Sequence, residues 1–407
     1  MPAATPEPVN LDAMVRRMQG AFRAGDNAVA QVLCQQVLER APQTYAALML
    51  RGVLLAKSGD SAGALTWFDQ AAAADPVQPG VHNNRGNALM TLAQYAEAAQ
   101  AYEQAIKLGG EAAHAHTQRA MALLRTARPD AALDGFERAL ELDASHLPAH
   151  FERIDLLIEI GRHGDAIKAL HAALAAGGDD TLIDFALAAL GAAGHAPPRT
   201  AAPVAYVREL FDRYAPTFEQ HLLGRLEYHV PALMAEAVAT LAAAEPGKTY
   251  DIIDLGCGTG LCAEPLAPFK RSLVGVDLSP RMLQQAHARQ IYDALHEAEM
   301  VAFLASCPLD FDLAIACDVL NYFGDLVAPL AAVHGALRPG GRFVFTVEAS
   351  DGDGDSVTLH ATRRFTHTHS HVLRAARGYT LLRAQPCTLR LEHGVPVAGR
   401  LFVIQRD

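Results

Sequence analysis

A strand-like apolar run in the second half of the chain ends in a glycine-rich turn. The run is Tyr250 to Leu255, and the turn after it reads Gly256-Cys257-Gly258-Thr259-Gly260. A second apolar run ends in the carboxylate of Asp277, 17 residues after Gly260. Glycines let a backbone approach a ligand closely, and a carboxylate at the end of a neighbouring strand can accept hydrogen bonds from both hydroxyls of a ribose. The spacing therefore predicts a site for a nucleotide-like ligand.

An acid precedes the glycines on the first strand. With Asp254 included, the pattern is D-x-G-x-G-x-G, which differs from the dinucleotide-binding fingerprint. It resembles motif I of the S-adenosylmethionine-dependent methyltransferases of Rossmann-like fold, and Asp277 stands where that family keeps its ribose-binding acid. The resemblance implies S-adenosylmethionine as the cofactor.

The same resemblance implies roles for individual residues. Asp254 is expected to orient the glycine turn and to reach the amino end of the cofactor's methionine. The backbone of the turn should face the cofactor, and Asp277 should bind the ribose hydroxyls. The other expected cofactor contacts are Leu278 and Met282 at the adenine, Asp318 and Leu320 at the methionine end, Gly256, Cys257, Gly258 and Gly260 in the turn, and Tyr214, which closes over the cofactor or packs between helices.

Methyl transfer from a sulfonium does not require a conspicuous catalytic residue. The donor is already activated, so the protein has to align the reacting atoms and, where the nucleophile needs it, remove a proton. His221 and His367 are the candidate bases, because they lie in family-like segments that flank the core. The histidines of the stretch 367–371 suggest a metal site, but no carboxylate or cysteine lies nearby in sequence, so we expect no metal.

The N-terminal half repeats with a period of 34 residues. A small residue recurs in each unit, and a large apolar residue follows it four positions later. The two columns are Ala30, Ala64, Ala98, Ala132 and Ala166, and Cys34, Phe68, Tyr102, Phe136 and Leu170. This pattern resembles the tetratricopeptide repeat, a pair of antiparallel helices. Five units starting near residues 11, 45, 79, 113 and 147 are predicted.

Two further columns of the repeats have polar side chains. Arginine recurs at 17, 51, 85, 119 and 153, and histidine at 82, 116 and 150. One interpretation is a ladder that binds anions; the favoured one is a structural role inside the repeats. The concave face is predicted to carry Asn83, Asn87, Thr117 and Asp155, which could hydrogen-bond a peptide.

Composition shifts divide the chain into two predicted domains. Residues 179–193 suggest a helix that caps the repeats, and 194–203 are rich in Gly, Ala and Pro. The predicted domains are 11–195 and 204–407.

In the second domain, strands are expected at 250–255, 272–277, 311–317 and 341–347, helices at 260–267, 280–289 and 326–337, and two antiparallel strands within 381–406. The predicted fold is an all-α solenoid followed by an α/β Rossmann-like domain with a mainly parallel, seven-stranded sheet.

The resemblance extends beyond the cofactor motifs to nearly the whole chain. Segments 210–222, 291–296, 323–326, 364–367 and 389–399 resemble a bacterial family of tetratricopeptide-repeat-containing methyltransferases whose acceptor is not defined, and 316–323 resembles a later motif of methyltransferases in general. Three positions depart from that family. It usually keeps a glycine at Arg363 and a tyrosine at Phe365, and it prefers aspartate where Glu299 is predicted to end the third strand.

Composition excludes several classes of protein. Hydrophobic residues make up 51% and charged residues 19% of the chain, which is a globular composition. A net charge of −11 disfavours a nucleic-acid partner. The chain has neither a secretory signal at its start nor an apolar run of membrane-spanning length. Six scattered cysteines suggest reduced thiols, so we expect a cytoplasmic protein.

Three functions remain open on the sequence. The first is a methyltransferase whose repeats recruit a protein or peptide acceptor. The second is a small-molecule methyltransferase, for example of a secondary metabolite, whose repeats serve scaffolding or a homodimer. The third is a non-catalytic repeat scaffold, which the intact glycine turn and Asp277 disfavour.

Overall fold

The computed structural model describes residues 10–110, 112–192, 194–195, 200–219, 222, 228–307, 309–352, 354–392 and 394–407. The chain divides into two compact units, Met1–Gly178 and Asp179–Asp407. His221, one of the two candidate bases, lies outside the described residues. Among the described helices, none is long and apolar enough to cross a membrane.

The described part of the first unit contains five successive pairs of helices. They are Leu11–Arg23 with Asn27–Arg40, Tyr45–Lys57 with Ser61–Ala74, Pro79–Thr91 with Tyr95–Lys107, Ala113–Arg125 with Pro129–Leu142, and Leu147–Glu159 with His163–Ala175. The five alanines of the small column are all 0% exposed. A Cβ on Gly52 would lie 2.4 Å from the ring of Phe68, so the large side chain of each pair fills space that the small column leaves open.

Three of the five arginines in the column join successive repeats by ion pairs. Each of these three lies on a first helix and bonds an acid 16 residues earlier, on the second helix of the preceding pair. The pairs are Arg85 with Asp69 at 2.6 Å, Arg119 with Glu103 at 2.7 Å, and Arg153 with Glu137 at 2.9 Å. These exposed or half-buried pairs each contribute little to stability. They nevertheless give the column a structural role without any bound anion.

The histidine column has a structural role as well. Nε2 of His82 lies 2.9 Å from the carbonyl oxygen of Pro76, and Nε2 of His150 lies 3.0 Å from that of Ala144. His82 and His150 thus each bond the loop that leads into their own helix. On the expected peptide face, Thr117 is only 1% exposed and its hydroxyl donates to the carbonyl of Ala113, so it is not available to a peptide.

The helix Asp180–Ala189 lies in the second unit, although the sequence pattern suggests a cap on the repeats. The ring of Phe185 lies 5.3 Å from that of Tyr206, and both belong to an apolar cluster with Tyr322 and Phe365. The helix buries its apolar side against these residues, so the boundary of the unit lies before it, at Gly178, and not after it.

The second unit is built on a sheet of nine described strands. They are β1 (Tyr250–Leu255), β2 (Lys270–Asp277), β3 (Ala294–Glu297), β4 (Phe311–Ala316), β5 (Leu337–Ala349), β6 (Val357–Leu359), β7 (Phe365–His367), β8 (Tyr379–Glu392) and β9 (Val395–Arg406). The helices are Val204–Tyr214, Val230–Ala243, Ala263–Leu266, Pro280–Ala288, Met300–Leu304, Val327–Ala336 and His369–Ala375, with 3-10 turns at Ala215–Thr217, Ala267–Phe269 and Leu320–Tyr322.

The strand order is β3-β2-β1-β4-β5, all parallel, and the antiparallel hairpin β8–β9 joins β5 through β9. These seven strands match the predicted number and directions. The hairpin β6–β7 is additional. Its strand β7 pairs with Glu348 and Ala349 of β5, beyond the point where β4 ends. The hairpin thereby adds a wall above the carboxyl end of β4.

Strand β1 separates two apolar layers. Ile253 and Leu255 pack with the helix Val327–Ala336, whereas Tyr250 and Ile252 pack with the helix Val230–Ala243. Successive side chains of a strand point to opposite faces, so an uninterrupted apolar strand is buried on both sides. The carboxyl ends of β1, β2 and β4 therefore meet at one edge between the two layers, where ligands bind in sheets of this type.

Candidate cofactor site

The glycine turn after β1 is built from residues in the left-handed region of backbone space. The φ angles are 65° at Gly256, 54° at Gly258 and 82° at Gly260. A Cβ on Gly256 would lie 2.4 Å from Cγ2 of Val319, and one on Gly258 would meet only Phe218, at 3.9 Å. The turn thus needs glycine both for its dihedral angles and for the approach of the loop after β4, and it leaves an open backbone surface.

Asp277 closes the turn from the end of β2. Its Oδ2 accepts a hydrogen bond from the backbone N–H of Gly258, and its Oδ1 accepts one from that of Ser279, both at 2.8 Å. Burial raises the pKa of the carboxyl group, while these hydrogen bonds oppose the rise. The carboxylate is held rigidly beside the turn, with lone pairs left for a ligand.

A cavity of about 420 Å³ opens at this edge of the sheet. Six of the predicted cofactor residues line it: Tyr214, Gly256, Gly258, Asp277, Leu278 and Asp318. Its volume lies in the usual range for a small-molecule site. Ala298, Glu299 and Met300, which follow β3, also line it, next to the position expected for the adenine.

Six other predicted residues do not line the cavity. They are Asp254, Cys257, Gly260, Met282, Leu320 and His367, which are not among the described residues that line the cavity. Met282 and Leu320 are both 0% exposed and belong to the packed interior. The backbone N–H of Cys257 donates to the carbonyl of Val276, 3.1 Å away, which ties the turn to β2. Met282 therefore does not line the cavity, and its contact with the adenine stays a prediction.

Asp318 stands in a strained conformation at the end of β4. Its φ of 54° is in the left-handed region, which non-glycine residues seldom adopt. Its Oδ2 lies 3.1 Å from Nη1 of Arg390, a side chain only 5% exposed. Arg390 also bonds Glu348 at 2.5 Å and Glu392 at 2.8 Å. A buried ionic network therefore holds the loop after β4 at the cavity.

Aromatic rings form part of the cavity wall. The ring of Phe218 lies 5.2 Å from that of Tyr214 and 6.2 Å from that of Phe211. Phe211 in turn lies 5.7 Å from Tyr322. The role of Phe211, Phe218 and Tyr322 does not follow from the cofactor motifs. The available signal is their position: Phe211 and Phe218 lie in segment 210–222, which resembles the repeat-containing family, and Tyr322 lies in segment 316–323, which resembles a later methyltransferase motif.

Backbone hydrogen bonds secure this wall. The N–H of Ala202 donates to the carbonyl of Tyr322, and the N–H of Gly324 to that of Thr200, both at 2.8 Å. Ala201 and Phe323 form an antiparallel bridge. Nε2 of His367 bonds the carbonyl oxygen of Phe323 from β7. The segment that the sequence presents as the end of a linker is therefore part of the cavity wall.

The histidine-rich stretch has structural partners. His367 and His371 have ring centroids 5.4 Å apart, and Nδ1 of His371 lies 2.9 Å from the carboxylate of Asp355. His369 stacks on Phe402 with ring centroids 5.5 Å apart. Across the described residues, no group of three or more His, Cys, Asp or Glu side chains is arranged to hold a metal ion.

The three departures from the family pattern have distinct positions. Arg363 has a φ of 62°, which accounts for a preference for glycine there. Phe365 is 2% exposed in the apolar cluster with Phe185. The prediction that Glu299 ends β3 is wrong, because that strand ends at Glu297. The side chain of Glu299 instead caps the following helix by accepting a hydrogen bond from the N–H of Ala302 at 2.8 Å.

Family comparisons identify both units. A methyltransferase-domain family matches residues 253–343, and two tetratricopeptide-repeat families match residues 17–79 with 117–181, and 79–111. The chain is a tetratricopeptide-repeat protein with a methyltransferase domain. The predicted fold class and recognition are confirmed, and the domain is of the class that uses S-adenosylmethionine.

Curated relatives match the methyltransferase domain. Residues of this chain are 32% identical over 123 residues to the ubiquinone biosynthesis O-methyltransferase of Cereibacter sphaeroides (strain KD131), covering 30% of this chain and 50% of that protein. The ubiquinone biosynthesis O-methyltransferase of Ruegeria pomeroyi is 27% identical over 191 residues, covering 44% of this chain and 77% of its own length. The chain thus spans about half the length of the first of these relatives.

Solved structures resemble each unit at low identity. Magnesium protoporphyrin IX methyltransferase (ChlM) from Synechocystis PCC 6803 has a TM-score of 0.40 and 16% identity, covering 50% of this chain and 99% of its own. The tetratricopeptide-repeat protein YrrB has a TM-score of 0.34 and 20% identity, covering 37% of this chain and 78% of its own.

Proposed function

We propose that this protein transfers a methyl group from S-adenosylmethionine to an acceptor that enters the aromatic side of the cavity. The observation that carries the proposal is the composition of the cavity wall. The lining combines the open glycine turn and the carboxylate of Asp277 with the rings of Phe211, Phe218 and Tyr322. The turn and the carboxylate suit a nucleoside, and the rings suit an apolar or aromatic acceptor group.

Within this proposal the residues around the turn hold the cofactor. Asp277 accepts from the ribose hydroxyls, and Leu278 with Met300 borders the adenine. Asp318, whose Oδ1 is buried without a hydrogen-bond partner in the free protein, borders the methionine end. Tyr214 covers the cofactor from the helix Val204–Tyr214. The bound cofactor supplies the activated methyl group, and the chain's own residues align the acceptor and exclude water.

The repeats are proposed to recruit the acceptor or the protein that carries it. Tetratricopeptide repeats are generally protein-interaction modules, and none of the motifs that resemble cofactor sites falls in residues 11–178. The alternative is a small-molecule acceptor, with the repeats used for dimerisation or scaffolding. The names of the curated relatives favour this alternative, since they act as O-methyltransferases in ubiquinone biosynthesis.

Calorimetric titration with S-adenosylmethionine and with its demethylated product tests the cofactor proposal. Asp277→Ala removes the acceptor for two hydroxyls and should weaken binding by at least tenfold, since each hydrogen bond to a charged group contributes about 1.5–3 kcal/mol. Asp310→Ala, at an exposed position away from the cavity, is the matched control. If the wild-type protein binds neither ligand at millimolar concentration, the proposed function fails.

Incubation of cell extract with the full-length protein and methyl-labelled cofactor identifies the class of acceptor. Label in the macromolecular fraction supports recruitment of a protein or peptide, and label in the small-molecule fraction supports the alternative. Asp277→Ala should label neither fraction. Label that is equal with Asp277→Ala and with wild type would come from other enzymes of the extract and would contradict the proposal.

A further inference from the structure

Tyr292 contacts the acid of the glycine motif directly. Its hydroxyl donates a hydrogen bond to Oδ2 of Asp254 at 2.7 Å. Asp254 is only 1% exposed, and it lies on β1 opposite Gly275 of β2. Tyr292 comes from the loop between the helix Pro280–Ala288 and β3. It therefore reaches the cofactor turn from behind, away from the cavity.

Two glycines make room for the tyrosine ring. A Cβ on Gly275 would lie 2.9 Å from Cε1 of Tyr292, and a Cβ on Gly260 would lie 3.0 Å from Cε2. Both distances are too short for an ordinary side-chain contact, so the ring fills the space that the two glycines leave. The hydroxyl is consequently held in one place, beside the carboxylate of Asp254.

We propose that Tyr292 is a positioning residue that fixes the carboxylate of Asp254 so that its other oxygen faces the ammonium group of the cofactor's methionine. This inference rests on the proposed function, and it adds a residue outside the glycine motif to the cofactor site. Tyr292 does not touch the cofactor; it acts through Asp254.

The surroundings of Asp254 disfavour its ionised form unless a cation is bound beside it. The titratable groups that face it are Asp277 from β2, the thiols of Cys257 and Cys317, and Tyr292 itself. Burial raises the pKa of the Cys257 thiol, and a hydrogen bond with Cys262 together with burial raises that of Cys317, which keeps both thiols neutral. A second carboxylate and neutral groups give a buried anion little compensation, whereas an ammonium group would compensate it. The cofactor brings such a group.

The ionisation of Asp254 makes this role measurable. Burial raises its pKa to about 7, and the hydrogen bond from Tyr292 opposes the rise. An ammonium group binds the ionised form, so loss of the hydroxyl would raise the pKa further and leave more of the free protein protonated near neutral pH. Binding would then be weakened near neutral pH and would recover as the pH rises above the new pKa.

Tyr292→Phe keeps the ring and removes only the hydroxyl. Dissociation constants for S-adenosylmethionine are measured by calorimetry for the full-length variant and wild type from about pH 6 to about pH 9, on both sides of the pKa. The readout is the ratio of the variant's dissociation constant to that of the wild type, because ionisation of the cofactor's own amino group affects both proteins equally. The ratio should be about fivefold or more near pH 7, since each pKa unit is about tenfold in affinity, and should fall towards pH 9, where Asp254 is ionised in both proteins.

Two controls separate positioning from packing. 5′-Methylthioadenosine lacks the amino-acid end of the cofactor, so its binding should be unchanged by Tyr292→Phe. Tyr379→Phe removes another buried hydroxyl, which donates to the carbonyl of Leu330 at 2.9 Å, and it should leave the ratio at one throughout.

Each outcome decides the inference. Equal weakening of 5′-methylthioadenosine would assign Tyr292 a packing role and overturn the proposal. A ratio of one at every pH would overturn it as well. Absence of binding by the wild-type protein would instead overturn the proposed function, so the two failures are distinguishable.

Discussion

Nε2 of His367 lies 2.8 Å from the carbonyl oxygen of Phe323. A carbonyl only accepts, so this nitrogen carries the proton. Burial lowers the pKa of His367 to about 4, and the side chain is 1% exposed. Phe323 lines the cavity and pairs with Ala201. This arrangement favours a structural role for His367, as the support of the cavity wall, over the role of base that its sequence position suggests.

Substitutions of His367 should act through stability. His367→Leu leaves the carbonyl of Phe323 without its donor and should lower the free energy of unfolding by about 1–3 kcal/mol, whereas His367→Gln offers a replacement N–H donor and should lower it less. Urea denaturation measures both. Because the pKa in the folded state is below the unfolded value of about 6.5, wild-type stability should rise with pH between about 4 and about 6.5, and the rise should be smaller in both variants. Unchanged stability with a lost methylation rate would restore the catalytic role.

Arg363→Gly should relieve backbone strain. Arg363 has a φ of 62°, a conformation that costs a non-glycine residue about 1–2 kcal/mol, and its guanidinium lies 5.1 Å from the ring centre of Tyr206. Arg363→Ala keeps the strain and loses the cation–π contact. The glycine variant should therefore be more stable than the alanine variant by about 1 kcal/mol in urea denaturation. Equal stabilities would show that the loop does not retain the left-handed conformation.

Truncation at the boundary of the second unit should preserve its fold better than truncation after the linker. A chain of residues 179–407 keeps Phe185 against Tyr206, whereas residues 204–407 lose that contact. Thermal unfolding followed by circular dichroism should give a lower midpoint for the shorter chain. Phe185→Ala in the longer chain should lower the midpoint similarly, because truncation of a buried phenylalanine costs about 3–5 kcal/mol. Equal midpoints for the two chains would place the boundary after residue 203.

The peptide-groove hypothesis gives a kinetic prediction for the repeats. Asn83→Ala with Asn87→Ala should raise KM for a protein acceptor and leave cofactor affinity unchanged, as expected for loss of uniform binding. Asn87 also accepts a hydrogen bond from the hydroxyl of Tyr102 at 2.7 Å, so Tyr102→Phe is the control for the internal contact. An unchanged KM in the double variant, together with an unchanged KM for residues 179–407 alone, would favour the small-molecule alternative.

The sequence by itself determined the elements and the cofactor turn. A period of 34 residues indicates a stack of helix pairs, since each pair buries its apolar face on its neighbours. Strand β1 was predicted with its observed bounds, because an apolar run between turn signals is a strong local signal. The glycine turn and Asp277 were also predictable from the sequence, since the dihedral angles of the turn depend on glycine and the hydrogen bonds to a ligand depend on a carboxylate.

Tertiary structure alone decided which distant side chains meet at the site. Asp318 pairs with Arg390, 72 residues away, and Asp254 with Tyr292, 38 residues away. The helix Asp180–Ala189 joined the second unit because its apolar side packs against Phe365 and Tyr206, which its own periodicity does not encode. Local propensity specifies a helix or a strand and the face that is apolar. It does not specify the partner of that face, because the partner is chosen by packing among all the apolar surfaces of the folded chain.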